Sequence, residues 1–158
     1  MTLTNYWWLL IWLFAGKLLE YLFPKRVERL GERTRERWDY LPAILLVVPY
    51  ILWAGFRHDY FGDTAQYRRS YLSLTDTVAQ ISGYFTGDNK DPGFSAYTVL
   101  FKTVFGNSDE LFFLVTALFQ MLCIALIFRK YSPDYWTSIF LFVVSTDYLS
   151  WMHNGMRQ

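Results

Sequence analysis

The sequence predicts an all-α, polytopic helical membrane protein, and three observations carry that expectation. Four hydrophobic segments are spaced along its 158 residues. Aromatic residues make up 21% of the chain and hydrophobic residues 53%. That exceeds the aromatic content of an ordinary soluble domain and suits Trp and Tyr at the headgroup level of a bilayer. Lys and Arg also gather in two short loops that four spans would put on one side of the membrane.

A spanning helix needs about 20 mostly apolar residues, roughly 17 at the least. Segments 111–128 and 135–152 meet this well. Segment 41–56 is short, so Tyr40 and Arg57 are expected at its two interfaces. Segment 5–23 carries Lys17, which can snorkel, and Glu20 one turn on, within pairing reach. This pair reads as an interfacial anchor rather than a functional pair within the membrane. The segment lacks the basic n-region and the small-x-small site of a signal peptide. One membrane domain, 1–158, is expected. The single cysteine, Cys123, lies in an apolar run and excludes an intrachain disulfide or a Cys-cluster metal site.

The loops set the expected orientation. Residues 24–39 hold Lys25, Arg26, Arg29, Arg33, Arg35 and Arg37, and the loop after segment 111–128 holds Arg129 and Lys130. Short basic loops stay cytoplasmic, so the N-terminus, the long loop 57–110 and residues 153–158 face outward. Glu28, Glu32 and Glu36 interleave with the arginines and suggest a solvated helical face with i,i+4 pairs. A net charge of +1 gives no global field for nucleic acid, and no nucleic-acid partner is expected.

The outer loop is patterned. Tyr67, Tyr71, Leu74, Val78, Ile81 and Phe85 recur at intervals of four and three, which predicts one amphipathic helix. Gly87 to Gly93 breaks it. A second helical pattern runs through Phe94, Tyr97, Phe101 and Val104 and closes at Gly106-Asn107. Polar clusters fall at Arg57 to Tyr67, at Lys90 to Gly93 and at Asn154 to Gln158, all on the outer side in this topology. In the first cluster Gly62 frees the backbone for a turn, and Asp63-Thr64 can cap a new helix.

Arg57…Gly62-Asp63-Thr64…Tyr67, then Asp91-Pro92-Gly93-Phe94, then Asn154-Gly155-Met156-Arg157-Gln158, resembles the EpsG family. These are membrane proteins of exopolysaccharide and capsule gene clusters, taken to act like Wzy-type polymerases. Family members continue through further spans after the Arg-Gln motif, so the chain reads as the N-terminal half of a longer protein, expected to be inactive alone. The resemblance implies a glycosyltransferase-type polysaccharide polymerase on the outer face of the cytoplasmic membrane. Its substrate would be a lipid-linked oligosaccharide, a sugar repeat on undecaprenyl diphosphate. Its surroundings would be the lipid bilayer and other polysaccharide-assembly proteins.

Such glycosyl transfer needs positive charge near the departing diphosphate and a base near the accepting hydroxyl. Arg57 and Arg157 suit the first role, because a guanidinium holds phosphate oxygens in pairs. Asp63 is the first choice for base or acceptor positioning, and its plain alternative is a helix cap. Asp59, Thr64, Tyr67, Asp91 and Gln158 are candidates for substrate binding, although Asp91 before Pro92 also suits a simple turn. No cofactor or resident metal is required. His58 and His153 read as interfacial residues, and a divalent ion between Asp59 and Asp63 is left open. There is no Gly-rich phosphate loop. The competing reading is a non-catalytic component of the same pathway, such as a flippase part or an assembly partner. A transporter should carry charge within its spans. Asp147, in the fourth segment, is the one such candidate.

Overall fold

The computed structural model describes the backbone of residues 3–30, 33–145 and 148, and the side chains of these except at 3–6, 30 and 33. Segment 5–23 folds as two pieces, α1 (Leu3–Gly16) and the single turn α2 (Leu19–Leu22). The Lys17–Glu20 pair expected at its end forms, at 2.5 Å, and Lys25 reaches the same carboxylate from its other side at 2.5 Å.

The basic stretch that follows departs from expectation. It is an antiparallel hairpin, β1 (Arg26–Leu30) with β2 (Arg33–Arg37), in which Glu28 faces Arg35. The fold is therefore mostly helical but not wholly so. A spacing of four between glutamates suits a helix, but four is also even, so it suits a strand equally. Tertiary contact settles the choice. On alternating positions Glu28 and Arg37 turn toward the body of the protein, and Arg37 is buried. There Arg129 donates from Nη2 to Glu28 at 2.5 Å and from Nε to the Trp38 carbonyl at 2.8 Å. A two-stranded ribbon is marginal alone, and this anchor fastens it to the helices.

The helical body consists of α3 (Tyr40–Gly55), α7 (Asp109–Tyr131) and α8 (Tyr135–Val144), with α1 packed alongside. Asp39 caps α3 through the Tyr40 N–H, and Asp134 caps α8 through the Thr137 N–H. Acidic Asp109 and Glu110 open α7, while Arg129 and Lys130 close it, each complementing the helix dipole. Its 23 residues give about 34 Å of helix, enough for a hydrocarbon core of about 30 Å. Among the described residues it is the one helix long and apolar enough to cross a membrane, whereas α3 and α8 are shorter apolar helices. One face of α7 packs inward and the other leaves Phe119 and Ile127 exposed.

Aromatic side chains tie the body together through their polar tips. Tyr50 donates to the Leu9 carbonyl, Trp12 to that of Leu46, Tyr135 to that of Ala43 and Trp136 to that of Leu13. Each satisfies its one donor on a neighbouring helix, the Tyr50 and Tyr135 rings buried and the Trp12 and Trp136 rings half-buried. α3 and α7 approach closely at Gly55, where a Cβ would lie 2.8 Å from the Leu114 Cα.

Segment 57–110 is largely helical, with a break the periodicity does not announce. Gly62 takes φ +48°, then α4 (Thr64–Ser73) begins. The stripe predicted to run on to Phe85 is cut at Leu74. Lys102 supplies the reason: its ammonium donates to the carbonyls of Tyr71, Leu72 and Leu74, each at 2.8 Å. All three of its donors are spent on carbonyls at the end of α4, which a cation there stabilises. A 3₁₀ turn (Val78–Gln80) and α5 (Ile81–Thr86) carry the remainder. α6 (Pro92–Phe105) has Pro92 in its first turn and ends at Gly106, φ +66°, as the sequence predicts.

Candidate functional site

Where α3 ends, the chain turns sharply at 56–63 and meets the first turns of α7. Arg57 is 4% exposed there, with its guanidinium carbon 4.3 Å above the Phe113 ring. Arg68, one turn into α4, reaches the same ring at 5.6 Å. Phe113 is itself buried and belongs to an aromatic layer with Tyr71, Phe101 and Phe112. Two cations thus share one ring.

Arg68 is the pivot of the charges. It ion-pairs with Asp59 at 2.7 Å and with Asp109 at 2.6 Å. Those contacts join the turn, α4 and the start of α7. Burial, together with the neighbouring Arg68 cation, pulls the Arg57 guanidinium down to about 10, with the Tyr67 and Tyr148 phenols acting against the fall. At that value Arg57 still carries its charge at neutral pH, in a pocket where the charge is poorly solvated. A partly desolvated cation favours an anionic oxygen more than a solvated arginine does, while the charge of Arg68 is already met by Asp59 and Asp109.

The remaining expected residues divide. Tyr67 is close to Arg57 and packs its ring against Phe94 at 6.1 Å, so it stands with the arginines. Thr64 is fully buried, and its hydroxyl has no hydrogen-bond partner among the described residues. Asp59 serves Arg68. Asp63 occupies the N-cap position of α4, yet its exposed carboxylate makes no capping hydrogen bond. Asp91 likewise precedes α6 without a side-chain cap, while its N–H donates to Asn89 Oδ1. His58 stacks on Tyr60 with ring centroids 4.7 Å apart. Among the described residues no group of three His, Cys, Asp or Glu side chains comes together. Arg157, Gln158, His153 and Asp147 lie outside the described residues.

Sequence reasoning missed three participants: Arg68, Asp109 and Phe113. Arg68 looked like an ordinary polar position on an amphipathic helix, and Asp109 like a helix-start acid. Only the fold brings residues 59, 68 and 109 together. The adjacent pair Phe112-Phe113 near the start of a long apolar helix was the one local hint, since aromatic rings gather at the ends of such helices.

Comparison with curated proteins and with solved structures gives no match. A family model described as the EpsG family matches residues 40–158, which include α3, the turn with Arg57, the whole of segment 57–110 and α7. The match covers most of the chain, so it belongs to the EpsG family, a family of Wzy-like, polysaccharide-related membrane proteins.

Proposed function

We propose that this protein is a polysaccharide polymerase of the cytoplasmic membrane, joining sugar repeats carried on undecaprenyl diphosphate at the outer face. The observation that carries this reading is the buried Arg57 on Phe113 with Arg68 beside it. A lipid diphosphate leaving group accumulates negative charge as its bond to the sugar breaks. A guanidinium fixed in a site with little water stabilises that charge without having to reorganise. Arg57 takes this role, with Arg157 as its expected counterpart. Asp63, exposed and not used as a cap, is the candidate base for the accepting hydroxyl, which would lose its proton as it attacks the anomeric carbon. Tyr67, Asp59, Thr64, Asp91 and Gln158 are assigned to substrate positioning. The reading needs no cofactor.

A multi-pass arrangement goes with this reading. α7 is the clearest span, and the exposed apolar side chains of α1, among them Trp7, Trp8 and Ile11, suit contact with lipid. With the basic hairpin on the cytoplasmic side, the arginines, the outer helices and the N-terminus face outward.

The test is replacement of Arg57 by Gln in the protein in its own host membrane, with polymer length and lipid-linked repeat measured separately. Loss of long chains, with single repeats still reaching the outer face, supports the polymerase. Retention of the repeat on the inner side would favour the flippase reading, and unaltered chains would remove Arg57 from the site.

A further inference from the structure

Beside the arginines, α4, α5 and α6 enclose a cavity of about 280 Å³, open to one side. That is near the lower limit of small-molecule sites, which start at roughly 300 Å³. It offers room for one ring, not for an oligosaccharide. Its lining includes the rings of Tyr67, Tyr84 and Phe94 and the polar groups of Ser70, Asp76 and Asn89.

The polar groups are pre-set. Asn89 donates one amide N–H to Ser95 Oγ at 3.0 Å, and its oxygen accepts the Asp91 N–H at 3.0 Å. That fixes the amide plane and leaves its second N–H for a ligand. The Tyr84 hydroxyl donates to Asp76 Oδ2, so Asp76 Oδ1 and the Tyr84 oxygen remain as acceptors. The cavity therefore mixes fixed donors and fixed acceptors between aromatic walls. Among the described residues Asp76 is the only charged one in its lining, and none of the lining residues is Lys or Arg. A carboxylate without a cation repels phosphate and other anions. A ring with both polar O–H groups and apolar C–H faces satisfies all of these features together.

We propose that this cavity is a binding subsite for a single uncharged sugar ring, resting on the polysaccharide reading above. Its place fits that reading. Tyr67 lines the cavity and also acts on Arg57. Phe112 forms part of its wall, while the next residue, Phe113, carries the two arginines. Sugar and diphosphate would thus lie on either side of one aromatic layer, the sugar held by neutral groups and the phosphate by cations.

The test uses purified protein in detergent and saturation-transfer NMR with the methyl glycosides of glucose, galactose, mannose and N-acetylglucosamine, with inorganic phosphate as competitor. At least one glycoside is expected to receive saturation, and phosphate is expected not to displace it. Ser70→Trp, which fills the mouth from an exposed position on α4, abolishes the signal. Asp76→Asn weakens binding about tenfold, the usual range for losing a hydrogen bond to a charged group. Silence from every glycoside, displacement by phosphate, or unchanged binding in both variants overturns the subsite. Polymer length in Arg57→Gln separates the two proposals. If that variant still makes long chains while Ser70→Trp no longer binds glycoside, the polymerase reading fails and the subsite stands. If chains are lost while Ser70→Trp binds as before, the subsite fails alone.

Discussion

Two buried arginines lie at opposite ends of α7, and their surroundings differ in kind. Arg129 is 3% exposed and Arg57 is 4% exposed. Each lies flat on an aromatic ring, Arg129 3.7 Å from Tyr40 and Arg57 4.3 Å from Phe113. Arg129 is met by a carboxylate and a carbonyl, which compensate its burial. Arg57 shares its ring with another cation, and burial is the main influence on its acidity. The first arrangement is what holding a fold together requires. The second sets a buried guanidinium at the turn on which the proposed anion site rests.

The comparison is open to attack from both ends. Arg129→Gln is expected to have the largest effect on stability, roughly 2–4 kcal/mol, because it abandons Glu28 and the Trp38 carbonyl at once. Thermal unfolding in detergent checks this, and a loss near zero would mean that the hairpin is held by other contacts. Arg57→Gln should cost less stability than Arg129→Gln yet reduce chain lengthening about 100-fold, in the range for removing one preorganised donor. Equal damage to stability by both variants would dissolve the contrast.

Gly55→Ala addresses the mounting of Arg57 instead of its charge. The new methyl would press on the Leu114 backbone, at a cost of about 1–3 kcal/mol for overpacking, and would shift the turn that begins two residues later. A stability loss with matching loss of chain lengthening is expected, and restored function in Gly55→Ser would contradict the packing account. Acid gives a gentler probe of the other end. The Arg129 hydrogen bond holds Glu28 below its usual 4.5. Its contribution is therefore complete above that value and fades as pH falls through the lowered one. Unfolding temperature should drop in this acidic window more in the wild type than in Glu28→Gln. Asp63→Ala should have the smallest effect, a few tenths of a kcal/mol, since no capping bond is lost. Polymer length then reports on its chemistry without interference from folding.

How much of this could be read in advance depends on how local the cause was. The long apolar helix α7, the close of α6 at Gly106 and the Lys17–Glu20 pair follow from neighbours in sequence, and all are present. The hairpin does not, because a spacing of four fits both helix and strand and Arg129, about a hundred residues away, decides between them. The break at Leu74 depends on Lys102, which periodicity treats as one more exposed charge. At the candidate site, the sequence singles out Arg57 and Tyr67 from the end of a hydrophobic segment and from the family resemblance, and the structure places the two near each other. Arg68 was not, since its partners Asp59 and Asp109 join it only through the turn of the chain. Asp63 was legible as a helix start, and the structure removes the capping bond that would have explained it away.

The adjacency of Phe112 and Phe113 has a further consequence for α7. A helix turns by about 100° per residue, so neighbouring side chains cannot exchange tasks without a rotation of that size. Phe112 serves the cavity and Phe113 the arginines, while sixteen positions on, Arg129 locks the far end to the hairpin. The angular phase of α7 is thus set at both ends. A single residue inserted between them would leave composition, length and hydropathy nearly unchanged. It would nevertheless bring one end out of phase with the other, so that either the ring under the arginines or the clasp on the hairpin is lost. Seven inserted residues, close to two full turns, would nearly restore the phase while moving the ends apart by about 10 Å. In this helix, registration carries information that hydropathy does not.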